Sequence, residues 1–199
     1  VFIGTAFSEG AHAPGYKVSR PQGLQMAHHV MLAHGRAVQA LRAAVPDARI
    51  GWAPTSNACV PVTRQTVDVE AARSAYFSVQ ADDWAWSVTW WSDPVMLEKY
   101  PEDGLRAMET DLPRIGGRDM ALIHQPLDFY GQNIYRGVPT RAGADGRPEH
   151  APYPVGGPKT AIGWHVNFDC LYWGVKFLYE RYHAPIYITE NGMSAHDWP

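Results

Sequence analysis

The sequence contains little that would assign it to a membrane, to a nucleic-acid partner or to an acidic surface. Its formal charge is −3, so no excess of positive charge favours nucleic acid or an anionic lipid. No apolar run approaches the roughly 18 residues that a membrane-spanning helix needs, and the first residues show no basic-then-apolar signal. We therefore expect neither nucleic acid nor membrane as a partner. The compartment stays open on these grounds, with the cytoplasm favoured.

Cysteine is scarce too, with only Cys59 and Cys170 in 199 residues. The two lie far apart and form no CxxC pair, so they suggest neither a disulfide framework nor a zinc site. Three histidines, His28, His29 and His34, share one helical segment but lack the spacing and the acid of a metal-binding helix. We expect no metal and no cofactor, and we expect these histidines at a helix surface or core edge.

Aromatic residues, by contrast, are abundant, with eight Trp and ten Tyr in the chain. They build cores, and tryptophan also stacks against sugar rings, so both explanations stay open. One dense cluster is better explained by packing in the core and its loops than by sugar binding. Its members are Trp84, Trp86, Trp90 and Trp91.

Helical and strand-like segments alternate along the chain. Apolar residues recur at helical spacing in 21–45, 66–86, 101–108 and 167–182. Short apolar runs that end in turn residues predict strands at 48–53, 127–135 and 184–190. The segment 137–159, rich in proline and glycine, predicts a loop. This order is typical of α/β proteins, with parallel strands joined by crossover helices. A complete (β/α)8 barrel takes about 250 residues, so a small doubly wound domain is an equally open alternative.

The strand that leads into Glu190 is the most informative segment. An apolar run at 184–189 ends abruptly in the turn-forming Glu190-Asn191-Gly192. An acidic side chain at the last position of a parallel strand stands where an α/β barrel keeps its catalytic groups. Glu190 is therefore the strongest candidate for a chemical role. The alternative is that these residues only form a turn after the strand.

Five segments resemble glycoside hydrolase family 1, the β-glucosidase family, in the same order and spacing. The most specific is Ile188-Thr189-Glu190-Asn191-Gly192, which matches the family's nucleophile motif. The others are 10–15, 50–51, 128–135 and 160–164. The resemblance covers essentially the whole chain. It implies an α/β fold that is part of a (β/α)8 barrel, running as a single domain over 1–199 from the loop after strand 4 to the loop after strand 7. Strands 1–4 and strand 8 are then not expected in this chain.

The resemblance also implies a retaining mechanism, in which two carboxyl groups ~5–5.5 Å apart serve as nucleophile and as acid/base. Glu190 matches the nucleophile, and Tyr135 matches a tyrosine whose hydroxyl orients it. Asn133 matches a polar substrate-binding position, and Trp164 matches a platform for the aglycone, the non-sugar part of the substrate. Alternatively, Tyr135 and Asn133 only cap a strand end, and Trp164 packs under the long loop.

The family's acid/base glutamate lies in a Thr-x-Asn-Glu-Pro motif that this sequence does not contain. We expect that glutamate from a segment outside this chain, with the remaining barrel segments as companion chains. Asp128 is no substitute, because it stands at the start of its strand. Three functions remain open: a β-glucosidase that hydrolyses β-glucosides through a glycosyl-enzyme on Glu190, an inactive barrel fragment with residual sugar binding, and a 6-phospho-β-glycosidase. Thr55 and Asn57, beyond the strand at 48–53, are further candidates for the barrel mouth.

Overall fold

The computed structural model describes residues 2–196, which form two compact units. Unit 1 consists of residues 2–54 and 78–129, and unit 2 consists of residues 55–77 and 130–196. Each unit is thus assembled from two stretches that are separated in the sequence. Every helix among these residues is too short or too polar to cross a bilayer.

Six helices and six strands make up the regular structure of residues 2–196. The helices are α1 (Arg20–Ala44), α2 (Thr66–Phe77), α3 (Val88–Leu97), α4 (Glu102–Ala107), α5 (Asp119–Ile123) and α6 (Cys170–Tyr182). The strands are β1 (Gly51–Trp52), β2 (Ala58–Pro61), β3 (Phe129–Asn133), β4 (Gly137–Ala142), β5 (Pro148–His150) and β6 (Ile186–Glu190). A π-helical stretch at Phe2–Ser8 and a 3-10 turn at Trp84–Trp86 complete the list.

Helix α1 confirms the prediction for 21–45, and its sequence explains where it starts. The Ser19 amide donates to the Gln22 side chain at 3.0 Å, which forms a capping box, and Pro21 stands in the first turn. Its apolar face is buried in unit 1 through Leu24, Ala27, Met31 and Val38. Helix α1 therefore owes its position to burial of this face against the rest of unit 1.

The tryptophan cluster belongs to the core of unit 1, as predicted. Trp84 and Trp90 are buried, and their rings meet edge to face with centroids 6.3 Å apart. The ring of Trp91 stacks on Trp84 at 6.2 Å. Trp86, in the same cluster, donates its indole N–H to Glu9 at 3.2 Å. Edge-to-face and offset stacking are the arrangements that aromatic rings prefer, so packing accounts for this cluster.

Unit 2 contains parallel strands with helices, as α/β order predicts. Strand β3 pairs in parallel with β6, and β2 pairs in parallel with β4. Helix α6 buries Trp173, Phe177 and Leu178. Gly174 lets α6 approach β2, since a Cβ at this position would lie 3.0 Å from the Ala58 Cβ. The strand predicted before Glu190 and the helix predicted at 167–182 are both present, although the helix begins at Cys170.

Three of the sequence-based assignments are wrong. The predicted helix 66–86 ends at Phe77, where the Val79 amide instead donates to the Asp103 carboxylate at 2.9 Å. The segment 137–159 is not only loop, because it contains β4 and β5, which pair with each other antiparallel. The sequence showed three strands where the structure has six among the described residues. Strand β4 contains Pro139, and a proline normally argues against a paired strand.

Candidate active site

The predicted site residues lie where two parallel strands of unit 2 end side by side. Along β3 and β6, Gln132 is opposite Ile188, and the next β3 residue, Asn133, is opposite Glu190. Thr189 is therefore an extra residue on β6, which makes a β-bulge at the end of the ladder. A bulge re-aims the side chains beside it. Here it brings Glu190 level with Asn133 at the carboxyl ends of the strands.

Hydrogen bonds fix this bulge from both strands. The Thr189 hydroxyl donates to Asn133 Oδ1 at 2.6 Å, and the Ile134 amide donates to the Glu190 carbonyl at 3.0 Å. The Asn191 side chain donates to the Ile134 carbonyl at 2.8 Å. Within residues 2–196 the amide nitrogen of Asn133 has no acceptor, so it can donate to a hydroxyl of a bound molecule.

Tyr135 and Glu190 form a direct pair. The Tyr135 hydroxyl donates a hydrogen bond to Glu190 Oε2. This bond to the carboxylate raises the pKa of the Tyr135 phenol, and partial burial and the negative charge act in the same direction. Tyr135 therefore keeps its proton and acts as a donor. The second carboxylate oxygen of Glu190, Oε1, accepts no hydrogen bond from the described residues.

Trp164 stands on a turn that is tied to the segment after Glu190. Gly163, at φ +82°, lets its amide donate to the Thr160 carbonyl at 2.9 Å, and the Trp164 amide donates to the Thr160 hydroxyl at 3.2 Å. The carbonyl of Ser194 accepts from the amide at position 161, which fixes the turn. Trp164 is 37% exposed, and its ring meets that of Tyr135 edge to face, with centroids 6.1 Å apart.

Arg136 is a member of this cluster that the sequence patterns did not reveal. The carbon of its guanidinium lies 5.0 Å from the centre of the Trp164 ring, a cation–π contact. Its Nε donates to Asn57 Oδ1 at 3.0 Å. The one signal available was its position, directly after Tyr135 at a strand end. Asn57 thus reaches the cluster through Arg136, and Thr55 reaches it through a 3.5 Å contact with the Asn133 carbonyl.

A buried polar network supports the end of β3 from behind. The Gln132 side chain is fully buried and donates to the Asn133 carbonyl at 2.9 Å and to the Ser56 hydroxyl at 3.0 Å. Ser56 shares a further hydrogen bond of 2.8 Å with the Tyr76 hydroxyl. Burial raises the pKa of the Tyr76 phenol, so this group stays neutral. The network fixes the backbone that carries Asn133.

The cluster contains one carboxylate. Among the described residues, no second carboxylate hydrogen-bonds to Glu190 or Tyr135. Asp128 lies at the start of β3 and belongs to unit 1, where it accepts from the Ile50 amide and from Arg42. No group of three potential metal ligands occurs within residues 2–196. The arrangement can therefore supply a nucleophile and donors to a substrate, but not a second carboxyl group from these residues.

The chain resembles characterised proteins along almost its whole length. It matches the model of Glycosyl hydrolase family 1 over residues 1–198. It is 35% identical over 190 residues to a β-glucosidase of Agrobacterium sp., covering 92% of this chain and 39% of the relative. It is 31% identical over 189 residues to β-glucosidase A of Thermotoga maritima, covering 94% of this chain and 41% of that protein. The chain thus spans about two fifths of the length of these relatives.

Solved structures give the same picture. A family 1 β-glucosidase from Thermotoga maritima matches with a TM-score of 0.77 and 28% identity, over 100% of this chain and 43% of that one. The virulence factor SghA from Agrobacterium tumefaciens matches with a TM-score of 0.73 and 32% identity, over 94% and 41%. SghA has also been solved with its substrate analog salicin. These matches confirm the predicted fold class, an α/β chain that is part of a (β/α)8 barrel.

Proposed function

Because the chain belongs to glycosyl hydrolase family 1, we propose that it carries the nucleophile side of a retaining β-glycosidase site. The observation that supports this is the Tyr135–Glu190 hydrogen bond at the end of β6. Tyr135 holds one carboxylate oxygen and leaves Oε1 open toward a substrate. A carboxylate with one oxygen fixed and one open is prepared for attack in a single direction.

The proposed reaction has two steps. Glu190 Oε1 attacks the anomeric carbon of a β-glucoside and forms an ester, while the leaving oxygen departs with a proton from the acid/base carboxyl. Water then attacks the same carbon, the acid/base takes its proton, and Glu190 leaves as a carboxylate. Tyr135 donates to that carboxylate before the first step and again when it is released. Its raised pKa keeps the phenol protonated throughout.

Two further residues are proposed to bind substrate. The free amide nitrogen of Asn133 is placed to donate to a sugar hydroxyl beside Glu190. Trp164 is exposed and in contact with Tyr135, so it is placed to line the aglycone side of the substrate site. Asn133 is assigned from its position opposite Glu190 at the ends of β3 and β6, and Trp164 from its ring contact with Tyr135.

We propose that the acid/base glutamate comes from outside residues 1–199, from companion segments that complete a single barrel domain with this chain. The relatives are more than twice as long as the chain, and the described residues bring no second carboxylate to Glu190. Strand β6, helix α6 and the turn just before α6 also expose large apolar side chains that such segments would cover. These are Phe168, Tyr172, Tyr179, Tyr187 and Ile188.

A fluorosugar inactivator tests the role of Glu190. With 2,4-dinitrophenyl 2-deoxy-2-fluoro-β-D-glucoside, the leaving group needs no proton, so the first step does not depend on the acid/base. We expect one covalent adduct on the peptide that contains Glu190, seen by mass spectrometry of the digested chain. The variant E190Q should take no label, and D128N should label as the original chain does. An adduct elsewhere, or none, contradicts the proposal.

The single carboxylate also favours a second function, a sugar-binding barrel fragment without catalysis on natural substrates. Hydrolysis of cellobiose by the chain combined with its companion segments separates the two, because an alkoxide leaving group requires protonation by the acid/base. We expect hydrolysis with the companion segments and none without them; no hydrolysis in either case would favour the sugar-binding fragment. A 6-phospho-β-glycosidase is separated by comparing aryl β-glucosides with their 6-phosphates as substrates of the completed barrel.

A further inference from the structure

Arg136 places a positive charge beside the aromatic platform that Trp164 forms. Its guanidinium lies against the Trp164 ring at 5.0 Å, and Asn57 fixes its orientation through Nε at 3.0 Å. A guanidinium held between an aromatic face and an amide oxygen has little freedom to swing away. Trp164 therefore does not offer a purely apolar face in the neighbourhood of Tyr135, because a positive charge covers part of it.

This positive charge has no negative partner in the described part of the chain. Three other arginines of unit 2 are ion-paired: Arg73 with Glu180 at 2.6 Å, Arg141 with Glu149 at 2.5 Å, and Arg147 with Asp145 at 3.5 Å. Within residues 2–196 no carboxylate lies within 4.0 Å of Arg136. Among the described residues only the Nε–H of its five N–H donors has an acceptor, so the Nη1 and Nη2 donors are open with respect to residues 2–196. A half-buried guanidinium with an open fork is suited to a planar oxyanion.

The surroundings of Arg136 are flat and aromatic. Besides Trp164, Tyr153 lies near this part of the chain, because its hydroxyl donates to the carbonyl of Gly137, the residue after Arg136, at 3.1 Å. Tyr153 stacks on His165, with the ring centroids 4.0 Å apart and an angle of 4° between the ring planes. Aromatic surfaces beside an open guanidinium match a molecule that combines an aryl ring with a carboxylate.

We propose that Arg136 selects glycosides whose aglycone carries a carboxylate, which pairs with the open Nη1 and Nη2 fork while the aryl ring lies along the aromatic surfaces. This inference rests on the proposed function, because it takes the sugar to be at Glu190 and the aglycone to be beside Trp164. Arg136 is then a specificity-determining residue rather than a catalytic one.

Binding of two matched ligands to the complete 199-residue chain tests the inference. The ligands are 4-carboxyphenyl and 4-carbamoylphenyl 1-thio-β-D-glucopyranoside, which are nearly isosteric, differ in charge and resist hydrolysis. Isothermal titration calorimetry gives Kd for each. We expect the carboxylate to bind roughly five- to tenfold more tightly, a typical gain for a charge-assisted pair at a partly exposed site.

Four variants make the comparison specific. In R136Q the two Kd values should become equal, whereas R136K, which keeps the charge without the planar fork, should retain a smaller preference. The variant R64Q removes the same charge from an exposed arginine outside the cluster and should keep the full preference. The variant E190Q should keep the preference too, since the ligands are not cleaved.

Three results overturn the inference: equal affinity in the original chain, a preference that survives R136Q, and no binding of either ligand. Tighter binding of phenyl 1-thio-β-D-glucoside 6-phosphate than of the carboxyphenyl ligand overturns it as well, since the anion would then lie on the sugar side. Failure of the proposed function has a different signature. Glu190 would take no fluorosugar label while the carboxylate preference and its loss in R136Q persisted.

Discussion

Asp128 of unit 1 and Glu190 of unit 2 use their carboxylates in opposite ways. In unit 1, Asp128 accepts from the Ile50 amide at 2.8 Å and from Arg42 at 2.6 Å, with Arg49 a further 3.8 Å contact. In unit 2, Glu190 accepts only from Tyr135 among the described residues, and one of its oxygens stays open. A carboxylate whose acceptor positions are filled by backbone and arginine stabilises the fold. A carboxylate with an open oxygen at a strand end remains available for a chemical reaction.

Tyr100 of unit 1 and Tyr135 of unit 2 differ in the same way. In unit 1, Tyr100 is buried and shares a 2.9 Å hydrogen bond with His28 Nδ1, while His28 Nε2 bonds to Asp119 at 3.0 Å. Both ring nitrogens of His28 are thus occupied, and the triad holds α1 and α5 within unit 1. In unit 2, Tyr135 meets a carboxylate at a half-exposed surface. The candidate active site and the structural hydrogen bonds of unit 1 use the same residue types. They differ in how many donors and acceptors are left unused.

The largest expected effect is a loss of stability caused by a substitution in unit 1, which leaves the residues of the candidate active site unchanged. A Cβ on Gly35 of α1 would lie 1.9 Å from the Leu122 carbonyl oxygen, which belongs to the backbone and cannot rotate away. We expect G35A to lower the free energy of unfolding by about 2–4 kcal/mol. Urea unfolding followed by circular dichroism measures this. The control G117A places its Cβ in open space and should change stability little.

The next effect compares the same substitution in both units. Removing the Tyr100 hydroxyl leaves His28 Nδ1 buried without its partner, so Y100F should cost about 1–2 kcal/mol of unfolding free energy. Removing the hydroxyl of Tyr135 leaves Glu190 facing solvent, so Y135F should change stability by less than about 0.5 kcal/mol. Labelling of Glu190 by the fluorosugar should slow in Y135F and stay unchanged in Y100F. Equal stability losses in the two variants would remove the distinction between the units.

The sequence revealed those parts of the chain whose signal is local. Helix α1 has its capping box and an apolar stripe within one stretch, and the strand into Glu190 ends in an evident turn. The family resemblance added Tyr135 and Asn133 as neighbours of Glu190. The pairing of β2 with β4 joins Ala58 to Gly137 across 79 positions of sequence, and no local pattern encodes it. Pro139 further disguises β4 as a loop.

Arg136 shows the same limit within the site. An arginine after a strand is normally read as a solvated surface residue, and its role depends on two side chains from other segments. Asn57 approaches from the segment after β1, and Trp164 from a turn held by Ser194. The β-bulge at Thr189 was equally hidden, because bulges arise from register between strands and leave no mark on one strand alone.

A smaller effect concerns stability in acid. The Ile50 amide and then Arg42 hold the pKa of Asp128 below its ordinary value. A carboxyl whose pKa is lower in the folded chain contributes stability above its unfolded value of about 4, and this is lost as pH falls through the folded value. Unfolding in urea between pH 7 and pH 3 should therefore show a weaker pH dependence in D128N. The variant D82N, whose carboxylate is fully exposed, should behave like the original chain.

The smallest expected change in stability is that of E190Q. The same substitution should change the pKa of Tyr135 measurably. Glu190 is exposed at the end of β6, so its replacement should alter the free energy of unfolding by less than about 0.5 kcal/mol. The carboxylate raises the pKa of Tyr135, because the neutral phenol donates a hydrogen bond to it and, to a lesser degree, because a phenolate beside it is repelled. A neutral amide removes that repulsion, so the pKa of Tyr135 should fall toward its ordinary value. The 13Cζ signal of labelled tyrosine, assigned through Y135F, follows this titration by NMR. An unchanged Tyr135 pKa in E190Q would mean that the Glu190 carboxylate does not act on Tyr135, and the pair that distinguishes this site from Asp128 would be lost.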